Sequence, residues 1–387
     1  MLPDRTIAAL AFANLSSLCG SSFQRSPHRP ETASVFVFMR GRESMRAAYL
    51  LDREIKVGDL PDPTPGPGQV LVRTHSCGIC ASDLHVKDHG QQLVDWSRAY
   101  NGPFSMDLSR PVVLGHEFVA EIVDYGPETR RILKKGTRAT SVPVVPTAHG
   151  IECVGLSNSF PGGFGEFMVL SEAALHPLPD VLGSDLAAMA EPLSVGIYYV
   201  RAAQLGKGDV PLIIGCGAIG LAMILALKLS NAGPIIAADY SPARRNLALA
   251  MGADAVIDPA ETSPFGAQGD ITRQPPNVIF ECVGVPGVMD QIMRNATAGA
   301  RIMVAGWCLE TDHMFTPCAH LKGLQVQYGG GPLPEDFAAA FRGLCEGRLD
   351  PTPWLGGRIG LAGVADAFDS FAGPGNPVRL IVDPRRA

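Results

Sequence analysis

The chain has 387 residues, enough for two domains with sizeable cores, and with 46% hydrophobic and 18% charged residues its composition is that of a globular protein. A formal net charge of −6 and a pI near 5.9 argue against a surface for nucleic acid or anionic membrane, because either needs a basic patch. The nine cysteines are odd in number and widely spaced, and several sit in apolar runs such as Ile279-Phe280-Glu281-Cys282-Val283. That usage belongs to a reducing compartment, so no disulfide framework and a cytoplasmic location are expected.

Residues 1–44 look unlike everything after them. Thr6 to Gln24 is uncharged and follows Arg5, a faint likeness to a signal peptide, but Asn14 interrupts its apolar core and no small-residue cleavage site follows. The reading is an unstructured extension from a start codon placed too early, with the native beginning at Met45. From there the chain reads strand, turn, strand: "PGPG" is a turn, and "GQVLVRTHSC" alternates as a half-buried strand does. Short strands follow in "VVLGHEFVAEIVDYG", "RATSVPVV" and "GGFGEFMVLSE", separated by glycine and proline. This part is β-rich.

The pattern changes near Leu193. "DVPLIIG", "PIIAADYS", "AVID", "NVIFECVG" and "RIMVAGW" read as strands, and "AIGLAMILALKLSNAG", "PARRNLALAMGA" and "GVMDQIMRNATAG" as the helices among them. Continuously apolar strands alternating with helices mean a parallel sheet covered on both faces. The uncharged run Pro211 to Leu227 is therefore a buried strand–turn–helix rather than a membrane span. After about Gly331 come two amphipathic helices and a last strand, "PVRLIVD". The expected architecture is α/β. A β-rich domain at 45–191 and 334–387 is interrupted by a doubly wound nucleotide-binding domain at 192–333.

Gly215-Cys216-Gly217-Ala218-Ile219-Gly220 fits G-x-G-x-x-G, follows an apolar strand and opens a helix. The first glycine makes the turn, the second admits a pyrophosphate to the backbone, and the third lets helix and strand pack closely. The helix N-terminus carries partial positive charge toward the phosphates. Asp239 ends the next strand, placed to accept hydrogen bonds from ribose hydroxyls and to repel a 2′-phosphate, which favours NAD over NADP. Arg244 acts in the opposite sense, since an arginine there can bind that phosphate or stack on adenine.

"CGICASDLH", Cys77 to His85, and "LGHEF", Leu114 to Phe118, hold the other chemistry. Cys77-x-x-Cys80 alone fits half a zinc knuckle or a redox pair. Zinc takes thiolate, imidazole or carboxylate and keeps one position open in a catalytic site. Cys80 closing one strand, His116 and Glu117 in another, and Glu191 before the nucleotide domain supply such a set. Adjacent residues on a strand face opposite ways, so a regular strand puts Glu117 behind the metal and brings Glu191 closer. A kink at Gly115 permits His116 and Glu117 together. Cys77 reads as a small buried hydrophobe.

From Met45 on, "GICASDLH", "GHE", "GGFGEF", "AEPLSVG", "GCGAIG" and "FECVG" resemble, in order, the motifs of the zinc-dependent alcohol dehydrogenases of the medium-chain dehydrogenase/reductase superfamily. "AEPLSVG" is most similar to the polyol, threonine and glucose dehydrogenase branch. The resemblance implies a GroES-like catalytic domain, a Rossmann domain, NAD, one catalytic zinc, and a homodimer or homotetramer acting on an alcohol or polyol. It implies Cys80 and His116 as zinc ligands, and Glu117 binding the metal or just behind it. Ser82 and His85 match the proton relay, with Asp83 orienting an imidazole from behind. Arg244 and Arg379 match residues that contact the cofactor's adenosine and pyrophosphate, and Cys282 and Val283 of "FECVG" fall on its cofactor loop. A zinc-free quinone or enoyl reductase, or a non-catalytic NAD-binding protein, has no use for this ligand and relay set.

Two departures stand out. Where many members carry four cysteines for a structural zinc, this chain has only Cys153, so no second zinc is expected. The interval from Cys80 to His116 is long for the family, and its Trp96, Tyr100 and Phe104 either shape a substrate pocket or pack a loop down.

Overall fold

The computed structural model describes residues 44–100, 102–148, 150–266, 271–371 and 379–386. The reading of residues 1–44 as an extension lies outside the described residues, apart from Ser44, which opens β1. Strand β1 (Ser44–Leu51) and β2 (Glu54–Pro61) form an antiparallel hairpin. In β3 (Gln69–Gly78), Val70, Val72 and Thr74 are buried while their neighbours are half-exposed, the period-two pattern of a strand on a core.

Helix α1 (Ala81–Tyr100) comes next, in the interval read as a loop. Its buried residues Asp83, Val86, Gly90, Leu93, Val94 and Ser97 recur at helical spacing, a stripe thinly apolar in the sequence. His89 has non-helical angles (φ −126°, ψ 17°), so the helix bends there. Strands β4 (Glu117–Tyr125), β5 (Arg138–Ser141), β6 (Val144–Thr147), β7 (Gly150–Cys153), β8 (Phe167–Ser171) and β9 (Leu175–Pro177) complete the first half.

Helices α2 (Ser184–Ala188) and α3 (Ala190–Ala202) lead to β10 (Pro211–Ile214), α4 (Ala218–Leu229), β11 (Ile236–Ala238), α5 (Pro242–Ala250) and β12 (Ala255–Ile257). Then come β13 (Val278–Glu281), α6 (Val288–Asn295), β14 (Arg301–Val304), α7 (Thr316–Lys322) and β15 (Gln325–Tyr328). The six strands run parallel in the order β12-β11-β10-β13-β14-β15, with the chain order reversing at β10. Such a sheet takes its ligand at the carboxyl ends of the strands, at that switch point. The uncharged run Pro211–Leu227 is β10 and α4, and no helix among the described residues is long and apolar enough to cross a membrane. The sequence reading missed β15, because all four of its residues are exposed and carry no buried-strand signature.

Helix α8 (Pro334–Cys345), β16 (Leu355–Ile359), α9 (Val364–Phe371) and β17 (Arg379–Val382) close the chain. β17 pairs antiparallel with β3, giving a sheet ordered β16-β17-β3-β4-β5-β9, with β8 also on β3. The last strands thus lie beside the segment that ends at Cys80.

Helix α3 connects the halves by packing closely on α4. A Cβ on Gly196 would lie 2.5 Å from the Ala222 carbonyl oxygen, so only glycine lets the two backbones approach this far. Gly196→Ala is expected to lower stability by about 1–3 kcal/mol, read as a lower melting temperature in thermal denaturation.

Candidate active site

Three ligand-type side chains meet where β3 ends and β4 begins. The ligand atoms of Cys80, His116 and Glu117 lie within 4.8 Å of one another, the one such group of three or more among the described residues. Local backbone geometry brings them together. Gly115 has φ +97°, a left-handed conformation that suits glycine, and this turn lets His116 face the cluster just before Glu117 starts β4. The kink considered from the sequence is present. Gly78 opposite must also be glycine, since a Cβ there would come within 2.2 Å of Glu117 Oε2.

Asp83 fixes two of the three. It is fully buried and accepts hydrogen bonds from the backbone N–H of Cys80 (2.9 Å) and of Gly115 (3.3 Å), with His116 Nδ1 3.4 Å away. The other imidazole nitrogen, Nε2, lies 3.1 Å from Ser82 Oγ. Burial works to lower the His116 pKa, yet Asp83 and Cys80 beside it hold it well above the usual histidine value. His85, half-buried on α1, is moved the other way by burial and then by His89, so it is neutral near pH 7.

Glu117 is fully buried, and Arg379 Nη2 lies 3.1 Å from its Oε1. The resemblance puts Arg379 against the cofactor. In the structure its guanidinium, in a residue only 3% exposed, pairs with Glu117, donates to the Ile79 carbonyl and lies over the Trp354 ring at 4.7 Å. Trp354 went unread because nothing in its own segment marks it. Glu191 opens α3 outside the group of three, and burial pushes its carboxyl up to about 7 despite the pull of His116. Cys77 is buried with its thiol pushed up by burial, wedged where a Cβ on Gly163 would come within 2.6 Å of its sulfur. It is a packing residue, and Cys77 and Cys80 are both free thiols.

The cluster fits a metal ion. Glu117 Oε2 is buried without a hydrogen-bond partner, and a thiol, an imidazole nitrogen and a carboxylate are the donors zinc takes.

The glycine loop is built as the motif requires. Gly215 has φ +95°, and a Cβ on Gly220 would come within 2.0 Å of the Gly215 carbonyl oxygen. A Cβ on Gly217 meets nothing within 4 Å, so the space before the α4 N-terminus (Ala218, Ile219) is open. No side chain caps that helix, which leaves its first N–H groups for an anion. Asp239 accepts from the backbone N–H of Cys216 and of Ser241, each at 2.8 Å, and Arg244 Nη1 is 3.9 Å from it. Val283 stands over Gly215, whose Cβ would meet it at 2.7 Å, while Cys282 N–H bonds the Ile214 carbonyl at 2.9 Å. The buried Glu281, not singled out from the sequence, shapes this loop by accepting from Val283 N–H (2.7 Å) and Gly284 N–H (2.9 Å).

Comparison with known proteins agrees with this geometry. Residues 66–180 match the alcohol dehydrogenase GroES-like domain, and residues 218–344 match the zinc-binding dehydrogenase family. The chain is 34% identical to (R,R)-butanediol dehydrogenase of Bacillus subtilis (strain 168) over 267 residues, covering 66% of this chain and 75% of that one. It is 28% identical to sorbitol dehydrogenase of Rattus norvegicus over 348 residues, covering 86% and 94%. The crystal structure of 2R,3R-butanediol dehydrogenase from Bacillus subtilis superposes with a TM-score of 0.74 at 27% identity, over 88% of this chain and all (100%) of that one. Fold and site together define an oxidoreductase that uses zinc and a nicotinamide dinucleotide. The chain belongs to the zinc-dependent alcohol dehydrogenases of the medium-chain dehydrogenase/reductase superfamily, in their polyol dehydrogenase branch.

Arg379→Met removes one partner of a buried ion pair and leaves the Glu117 carboxylate uncompensated. It is expected to cost about 3–5 kcal/mol of stability, seen as a lower melting temperature, unless added zinc restores part of it.

Proposed function

We propose that the protein oxidises a small diol or polyol with NAD, on one zinc ion held by Cys80, His116 and Glu117. The observation that carries this reading is the meeting of those three side chains with Ser82 Oγ 3.1 Å from His116 Nε2. Zinc bound there would supply a Lewis acid, of the kind that lowers the pKa of water from 15.7 to about 7, and NAD would supply the hydride acceptor. Asp83 holds the Nδ1 side of His116, which leaves Nε2 for the metal and fixes the ring. Ser82 is the hydroxyl that takes the alcohol proton, and His85, neutral near pH 7, passes it toward solvent. Glu191, outside the group of three, is a carboxyl that burial pushes up to about 7. The substrate class rests on the butanediol and sorbitol dehydrogenases among the relatives.

Asp239 at the end of β11, whose carboxylate repels a 2′-phosphate, supports NAD over NADP in this reading. The lone Cys153 between His116 and the "GGF" turn supports a single zinc in this reading. Cys80 ligates only as a thiolate, which suits the reducing cytoplasm.

For the first test, zinc is measured per chain, and NADH formation is followed over vicinal diols, polyols and simple alcohols with NAD and NADP. Cys80→Ser is expected to lose zinc and turnover and to keep NADH binding, because the glycine loop lies on the other half. An active, metal-free Cys80→Ser protein would remove the proposal.

The assembly proposed is a dimer through β15. This strand is an edge of the parallel sheet, all its residues are exposed, and Phe315, Leu321 and Leu333 are exposed in the flanking segments. Open edges of this kind invite another strand, and a second copy offers the same one. Val326→Pro removes a ladder donor and should move the sedimentation coefficient from dimer to monomer. A wild type that sediments as a monomer would exclude the pairing.

A further inference from the structure

The long interval after Cys80 reaches across to the parallel-sheet half. Phe104 meets Trp307 edge-on, ring centroids 5.7 Å apart and planes at 71°. Gln92, on α1, donates its side-chain amide to the Leu309 carbonyl at 2.8 Å, and Leu309 packs on the core of the first half. Trp307 lies three residues past the end of β14, at the carboxyl edge where such a sheet takes its ligand. It is also set against the cofactor loop, since a Cβ on Gly284 would come within 2.6 Å of its backbone nitrogen. Trp307 remains 51% exposed, so the pair is not core packing.

We propose that Phe104 and Trp307 form an aromatic gate across the crevice, and that this gate sets the size of the group accepted on the carbinol carbon. The inference deepens the dehydrogenase reading and rests on it. Helix α1 carries Ser82 and His85 at one end and Gln92 further along, and the chain just beyond it carries Phe104. The gate and the Gln92 bond therefore join the helix that carries Ser82 and His85 to the loop that follows β14, beside Gly284. Two rings and Leu309 present an apolar surface here, and a bulkier substituent on the carbinol carbon would have to displace the ring contact. Opening the crevice for cofactor exchange breaks both contacts together. An edge-to-face pair of this kind is worth about two- to tenfold in an equilibrium.

The test uses the zinc-loaded full chain with Phe104→Ala, Trp307→Ala and the double variant. NADH release, followed by stopped-flow fluorescence without any alcohol, is expected to quicken about two- to tenfold in each single variant. The double variant should release no faster than the singles, because either change removes the same contact. The ratio of kcat/KM for 1-phenylethanol to that for 2,3-butanediol should rise in both, and Phe104→Leu should fall between. Unchanged release rates and an unchanged ratio, with only a lower melting temperature, would show that the pair merely packs the loop and would overturn the gate. A wild type that oxidises no alcohol would sink the dehydrogenase reading instead, and the NADH release rates would still decide the gate.

Discussion

The Asp83 carboxylate is fully out of solvent, and its two oxygens serve three groups drawn from two distant stretches of chain. A buried charge is tolerated only when it is paired and hydrogen-bonded. Here that requirement ties the first turn of α1 to the turn before β4. Cys80 and His116, thirty-six positions apart in the sequence, are thereby held in one place by their own backbone and ring nitrogens. Asp83 stands 3.4 Å from the Nδ1 side of the imidazole, so one carboxylate neighbours both the ring and the backbone of the thiol residue. The site is preorganised from behind rather than by the ion alone.

A second buried pair closes the arrangement from the C-terminal side. Arg379 sits on the last strand, and β17 can reach Glu117 only because it pairs with β3, the strand that leads to Cys80. Trp354 under the guanidinium and the Ile79 carbonyl beside it complete the environment of that cation. The return of the chain to the first sheet thus has an electrostatic reason as well as a packing one. Without it, Glu117 would be a buried acid with no counter-charge. With it, Glu117 has a counter-charge 3.1 Å from one oxygen, while neither of its oxygens has a hydrogen-bond partner.

What could be read from the sequence was chemistry concentrated in short segments. The glycine loop, Asp239, and the Cys80–His85 and His116–Glu117 clusters each carry their pattern within a few residues, and the structure brings Cys80, Ser82 and Asp83 beside His116 and Glu117. What escaped depends on contacts between distant segments. The choice between a regular strand and a kink before His116 turns on φ at Gly115, which a glycine permits but does not dictate. The destination of Arg379 is set by strand pairing and by Trp354, neither of which its own neighbours reveal. Helix α1 was read as a loop because its inward stripe includes Asp83, Gly90 and Ser97 and so looks polar. β15 escaped for the opposite reason, having no buried face at all.

The two halves of the reaction also have to be held at a fixed separation. Proximity and orientation supply much of an enzyme's rate, and small misplacements are costly. Two glycine contacts in series set that distance here. Gly196 lets α3, which begins at the Glu191 carboxyl, lie directly on the backbone of α4. Gly220 then lets α4 close on Gly215, which aims its N-terminus at the phosphate position. Each contact is backbone on backbone, with no side chain to adjust, so the line from the metal-side carboxylates to the dinucleotide loop is stiff. At the rim the halves also meet through the Phe104–Trp307 ring pair and the Gln92–Leu309 hydrogen bond.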